Sequence, residues 1–330
     1  MAKYIIKRVL WMIPVLLGVI VIVFSITYFS PGDPVMLIIG SNNYTPEAYA
    51  AKAAQLGLDK GYWEQLFTYI WNLVTKLDLG RSYLNSIPVS QELAGRIMVS
   101  VRLNLLGILL MMAIGLPCGM ISALKQYSAL DMGLTSLSLI MAAMPAFVLA
   151  LLCALFFGVI LRWLPVTGLT TWKHWILPVF CSAGGGIAVY TRMTRTTMLE
   201  VIRQDYIRTA RAKGLKEGVV VRRHALKNCL IPLTTVVGAF VATIFSGSII
   251  VETIFNIRGM GLYLVSGITG RDYPIVNGTV FVISLLVCTV NLCVDIAYSF
   301  IDPRIKAQFI SPKKKAKLVN ELVQAQEVAE

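Results

Sequence analysis

The sequence predicts an all-α polytopic membrane protein with six transmembrane helices. Three observations carry that prediction. The 330 residues are 57% hydrophobic, only 14% are charged, and the basic residues gather beside the ends of long apolar runs. Soluble domains carry charge on roughly a quarter of their residues. A mean hydropathy of +0.72 therefore suits a chain solvated by lipid. The formal charge of +13 sits at the chain ends and in one central loop. That is the pattern of positive-inside topology. Nucleic-acid binding would instead need a basic stripe interleaved with aromatics, and none is present.

The first span is the apolar run from Val9 to Phe29, preceded by Lys3, Lys7 and Arg8, which hold its start in the cytoplasm. It is longer than a signal-peptide core and ends in Ser30-Pro31-Gly32-Asp33-Pro34 with no small-residue cleavage pattern, so it reads as a retained helix spanning 1–30. Residues 31–98 form an external region. Within it Trp63, Leu66, Phe67, Ile70, Val74 and Leu77 recur at helical spacing, marking an amphipathic helix on the membrane surface or against the external mouth.

Five further spans follow over about 101–124, 133–161, 175–199, 231–255 and 278–300, within a core of 99–302. Lys125, Arg192, Arg195, Arg304 and Lys306 lie at the ends assigned to the cytoplasm, which places both termini there. Residues 303–330, with Lys313, Lys314, Lys315 and Lys317, read as a cytoplasmic tail in reach of anionic lipid. Pro14, Pro117, Pro145 and Pro178 fall inside spans and kink them. The six cysteines form no C-x-x-C pair and read as small buried apolar side chains, with no metal or disulfide framework.

The cytoplasmic loop of about 192–230 has internal order. From Arg192 to Lys227 it carries ten basic residues against three acidic ones. Asp205 to Lys213 is good helix material, and Gly214 stands where a helix stops. A short helix held outside the bilayer between two spans needs a partner to pack against.

The run Asp205-Tyr206-Ile207-Arg208-Thr209-Ala210-Arg211-Ala212-Lys213-Gly214-Leu215, followed by His224, Asn228 and Ile231-Pro232, resembles the coupling loop of binding-protein-dependent ABC importer permeases. More narrowly it resembles the dipeptide, oligopeptide and nickel class, and there the first (B-type) of the two permease subunits. The general family pattern begins Glu-Ala-Ala; Arg208-Thr209-Ala210 is what the peptide class has in that place. The resemblance extends along the chain through Ser30 to Pro34, Asp78-Leu79-Gly80-Arg81-Ser82, Pro88-Val89, Val251-Glu252-Thr253-Ile254-Phe255, Gly259-Met260-Gly261, Arg271-Asp272-Tyr273-Pro274 and Asp302-Pro303-Arg304.

The resemblance implies a type I ABC importer permease fold and a permease forming half of the translocation path. It implies that the helix from Tyr206 to Gly214 docks on a partner ATPase. It implies four kinds of partner: a second homologous permease chain, two ATP-binding cassette subunits that hold ATP and Mg, an external substrate-binding protein, and membrane lipid. This chain has no phosphate-binding loop of its own and is expected to bind no cofactor. Gly214 and the face carrying Ala210 and Ala212 are expected to make the close contact, with the arginines orienting it. Peptide is the expected cargo, with nickel or a glutathione-like solute as alternatives and a self-powered carrier behind them. An intramembrane enzyme lacks support, since His174 and His224 sit outside the spans and no catalytic constellation lies within them.

For the path itself the candidates are Met144 and Pro145 at a kink, with Ser246, Ser248 and Glu252 on the fifth span. The stretch Gly238, Ala239, Ala242, Ser246, Gly247, Ser248 first suggests close helix packing. Glu252 is expected near the outer interface, solvated, with a structural role at the external gate. Asp295 in the last span needs a partner, because ionisable groups at membrane depth are costly. Met111, Met112, Met141 and Met144 read as packing.

Overall fold

A computed structural model describes residues 2–40, 44–243 and 248–301. Ser246, Gly247, Asp302-Pro303-Arg304, Lys306 and the lysines of the tail lie outside the described residues. Every regular element described is helical. The long helices are α1 (Ala2–Phe29), α5 (Val89–Leu124), α8 (Lys173–Ile202) and α14 (Tyr273–Ile301). Short helices precede α5: α2 (Pro34–Ile39), α3 (Pro46–Leu56) and α4 (Tyr62–Lys76). Local chemistry sets their ends. Asp33 and Thr45 cap α2 and α3 through their side chains, each with proline in the first turn, and Gly57 closes α3 in the left-handed region.

Among the described residues five helices are long and apolar enough to cross a membrane, and six if the bent pair α6 (Ala129–Ala143) and α7 (Ala146–Cys153, continued as a π-helical stretch over Ala154–Ile160) is one span. The predicted span 133–161 is therefore not a kinked rod. Its halves turn by 106° at Met144-Pro145. Proline disfavours helical backbone in the residue before it, and Met144 is extended at φ −80°, ψ 122°. Pro14, Pro117 and Pro178, by contrast, sit inside continuous helices.

The predicted span 231–255 also shifts. After α9 (Asp205–Ala212) the chain runs as one helix from Glu217 to Ala242, made of α10 (Glu217–Val219), a π-helical turn over Val220–Ala225 and α11 (Leu226–Ala242). Residues 249–255 are not its continuation. They form the separate helix α12 (Ile249–Ile254), followed by α13 (Met260–Thr269). A continuous apolar run conceals such a break, because composition reads the same on both sides of it.

The core is built on α5 against α8. Gly115 and Gly119 of α5 let Tyr190, Thr191 and Thr194 of α8 approach so closely that a Cβ would clash. α1 packs on α14, with Arg8 Nη1 at 2.9 Å from Asp295 Oδ2, which supplies the partner Asp295 required. That pair sets the start of α1 beside the last turns of α14, at the end of the bundle from which α9 hangs.

The amphipathic helix expected from the sequence forms as α4. Leu66 and Leu73 are its buried positions, and Tyr62 and Tyr69 stack into an aromatic cluster with Phe24 and Tyr28 of α1. Of the predicted stripe, Leu66 is buried and Ile70 half-buried, while Trp63, Phe67, Val74 and Leu77 are exposed together with Trp71.

Candidate functional site

Three places along the bundle carry the chemistry. At one end α8 delivers the chain into α9. An acid in the first turn and Arg211 in the last suit the helix dipole. Gly214 follows at φ +77°, a left-handed turn that glycine adopts without strain. The Arg211 guanidinium donates to Glu217 at 2.6 and 3.1 Å and closes the turn. That carboxylate holds Arg211 protonated even more firmly than usual. Asn228 Nδ2 donates to the Tyr206 hydroxyl at 3.1 Å and ties α9 to α11.

The faces of α9 divide. Ile207 is fully buried and Ala210 nearly so, both in the chain's own core. Tyr206, Arg208, Thr209, Arg211, Ala212, Lys213 and Gly214 are exposed. Ala210 and Ala212 thus do not share an outward face, contrary to the sequence expectation. Ala210 anchors the helix inward, and the outer face is cationic and polar.

Just inside this end, Asp131 of α6 accepts from Arg195 Nε and Nη2 of α8 at 2.7 and 2.8 Å, from the Tyr127 N–H at 2.9 Å, and from Ser122 of α5. One carboxylate, 4% exposed, joins three helices where α8 turns toward α9.

In mid-bundle, the Met144-Pro145 bend borders a cavity of about 470 Å³ whose lining includes Ala142, Ala146, Asn104, Ser182 and Arg192. Pro145 is exposed and Met144 half-buried.

Toward the opposite end Glu252 is fully buried, not solvated. Its carboxylate accepts from Ser100 Oγ at 2.7 Å and Ser248 Oγ at 2.6 Å, and from the N–H groups of Gly261 and Leu262 at 2.7 and 3.2 Å. Those amides open α13, so Glu252 is the counter-charge of that helix's N-terminus. Ser248 is buried in the same contact rather than facing a channel. Glycine at 259 and 261 is required because a Cβ at either place would run into Glu252 or the α12 backbone.

A third buried carboxylate, Asp272, accepts from Ser82 Oγ at 2.5 Å and the Tyr83 N–H at 3.1 Å. The Asp78-to-Ser82 and Arg271-to-Pro274 strings, far apart in sequence, thus meet in space. Burial beside Asp272 pushes the Tyr83 phenol up. Nearby, Asp33 accepts from the Tyr49 hydroxyl at 2.7 Å and raises that phenol too.

Comparison with known proteins decides what these features belong to. Residues 115–307 match the family described as binding-protein-dependent transport system inner membrane component, and residues 1–104 match the N-terminal family of the same membrane component. The chain belongs to this family.

The permease is 38% identical over 334 residues to the dipeptide transport system permease protein DppB of Alkalihalophilus pseudofirmus, covering 93% of this chain and 100% of the relative. It is 40% identical to a putative peptide transport system permease protein of Brucella suis (92% and 99% covered) and 35% identical to DppB of Escherichia coli K12 (93% and 99%). A chain from an inward-facing structure of the MetNI methionine ABC transporter superposes with a TM-score of 0.56 at 18% identity, covering 64% of this chain and 97% of that one. The type I permease fold follows from that likeness. The chain is a multi-pass inner-membrane transport subunit, not an enzyme.

Among the residues singled out from sequence, the fold brings together Tyr206 to Gly214 at one end, and Ser248 with Glu252 toward the other; Met144 and Pro145 stand apart at the bend. Sequence reasoning missed Asp131, Ser100, Asn104 and Ser182. Their only local signals are isolated polar residues in apolar helices.

Proposed function

We propose that this permease forms one half of the translocation path of an ATP-driven peptide importer and is moved through α9 by a partner ATPase. The observation that carries the coupling role is the division of α9, with Ile207 and Ala210 anchored in the chain's core and a cationic face left uncovered by the described residues. Such a helix transmits force in both directions: a grip on its outer face moves the π-helical turn Val220–Ala225, on which it packs, and α11, to which Asn228 fastens it.

The α9 end lies in the cytoplasm, with both chain termini, because Lys125, Arg203, Arg208, Arg222 and Arg223 gather there. Two ATP-binding cassette subunits hold ATP and Mg on that side. A second, homologous permease completes the path, and a substrate-binding protein delivers cargo to the opposite end. Peptide cargo is supported by the names of these three relatives, which are dipeptide or peptide transport permeases. On this reading Tyr206, Arg208, Thr209, Arg211, Ala212, Lys213 and Gly214 meet the ATPase. Glu252 and Ser248 brace the outer gate from within.

The test is a cysteine at Thr209, exposed and outside the core, in the purified full complex. A bifunctional thiol reagent is expected to link it to an ATPase subunit in a nucleotide-dependent way. Modification of that cysteine by an impermeant reagent from the periplasmic side would sink the assignment. Competition of radiolabelled dipeptide uptake by peptides, nickel and glutathione identifies the cargo.

A further inference from the structure

Helix α8 is packed on nearly every side. Between Cys181 and Met198 the exposed positions are Gly185, Val189, Arg192, Met193 and Thr196, with Ser182 and Arg195 half-buried. Ser182, Gly185, Val189 and Arg192 follow at steps of three and four and so share one face. That face lines the 470 Å³ cavity together with Ala142 and Ala146, on either side of the Met144-Pro145 bend, and with Phe240 and Thr243 at the end of α11.

Besides Thr243, the polar side chains of the lining are Asn104 and Ser182 toward one end of this face and Arg192 toward the other. Asn104, 7% exposed, donates from Nδ2 to the Ser100 carbonyl at 2.9 Å and accepts from Ser182 Oγ at 3.4 Å. Its amide keeps one further N–H, and the Ser182 hydroxyl keeps its lone pairs. Arg192 lies ten residues further along the helix, about 15 Å away at 1.5 Å per residue. No acidic side chain pairs with it among the described residues. A guanidinium that lines a cavity faces water or an anion, not lipid. Between the two ends Gly185 leaves the backbone bare, and a Cβ there would meet nothing within 4 Å.

We propose that this face of α8 is the chain's wall of the translocation path. Asn104 and Ser182 hydrogen-bond the backbone amides of a passing peptide, and Arg192 receives its carboxylate. The carboxylate assignment rests on the peptide-cargo reading. The wall itself rests on the cavity and stands for any polar cargo. An extended peptide presents amides along its length and a carboxylate at one end, which matches amide and hydroxyl groups at one end of the cavity and a lone cation at the other.

The experiment uses the complete complex of both permeases, ATPases and binding protein in proteoliposomes, with uptake of a free-carboxylate peptide and of its C-terminally amidated form. Gly185→Trp should abolish uptake of both while the complex still copurifies, because its side chain enters open space. Arg192→Gln should lower uptake of the free-carboxylate peptide about tenfold, the scale of one charge-assisted hydrogen bond, and leave the amidated one unchanged. Arg192→Lys should restore most of it.

Full uptake in Gly185→Trp would overturn the wall. So would loss of the second permease from the Gly185→Trp complex, because the face would then be a subunit interface. Equal losses for both peptides in Arg192→Gln would overturn the carboxylate contact alone. A wild-type complex that imports another solute and no peptide would overturn the cargo reading and the carboxylate contact with it, while the effect of Gly185→Trp on that solute would still decide the wall.

Discussion

Arg195 grips Asp131 with two parallel hydrogen bonds, Nε to Oδ1 at 2.7 Å and Nη2 to Oδ2 at 2.8 Å, two turns of α8 before the chain leaves for α9. The carboxylate is 4% exposed and the guanidinium 25%, so removing one partner strands a charge that water reaches poorly. Asp131→Ala should therefore cost about 3 kcal/mol, the lower end for a broken buried pair. The double variant Asp131→Ala/Arg195→Ala should recover part of that loss, because the stranded cation is gone. Thermal unfolding of the detergent-solubilised chain measures both. Equal stability of wild type and Asp131→Ala would show that the pair does not hold α6 to α8.

Glu252 is the second case where geometry fixes the expected outcome. Four donors converge on one buried carboxylate, two of them the opening amides of α13. Glu252→Ala leaves these donors without an acceptor and should destabilise by about 2–4 kcal/mol. Glu252→Gln keeps the shape but loses the charge at the helix N-terminus and should cost about 1 kcal/mol. Gly261→Ala should be as damaging as Glu252→Ala, because its Cβ would press on the α12 backbone at Ile249, which cannot rotate away. Thermal unfolding of the three variants in detergent ranks them.

How far each site was legible depends on how local its cause is. The ends of α9 follow from Asp205, Arg211 and Gly214, all within ten residues, and the sequence reading of that helix agrees with the structure to one residue. Glu252 read as solvated because its acceptor role is satisfied by Ser100, 152 positions away. The 106° turn had a local cause in Pro145, but proline inside apolar helices elsewhere in this chain leaves them continuous, so the residue type alone does not separate a kink from a break. Which face of α4 turns inward was hidden for another reason: both faces are apolar, and aromatic contacts with α1 select Tyr62 and Tyr69 over Trp63 and Phe67.

Asp272 ties the segment before α5 to the start of α14, through Ser82 Oγ and the Tyr83 N–H. Without that acceptor the segment keeps few other cross-links: the isolated bridge between Arg81 and Pro88 is local. Asp272→Ala should raise amide exchange at Tyr83 and Leu84 about tenfold or more, equivalent to losing at least one hydrogen bond to a charged group. Exchange in α8 should not change. Unaltered protection at Tyr83 would mean the loop is held by packing instead.

Gly214 separates two explanations of why glycine stands after α9. At φ +77° an ordinary L-residue is strained by about 1–2 kcal/mol, while asparagine tolerates the left-handed region. The chain itself offers no steric objection, since a Cβ at Gly214 meets no atom within 4 Å. If glycine is there only for the turn, Gly214→Asn should transport like wild type and Gly214→Val should lose stability in α9. If the ATPase also closes on the bare backbone, Gly214→Asn should insert, fold and assemble normally yet fail to couple substrate to ATP hydrolysis. We expect the second result, because the outer face of α9 around Gly214 is uncovered. Substrate-stimulated ATPase activity of the reconstituted Gly214→Asn complex, set against its thermal stability, decides between them.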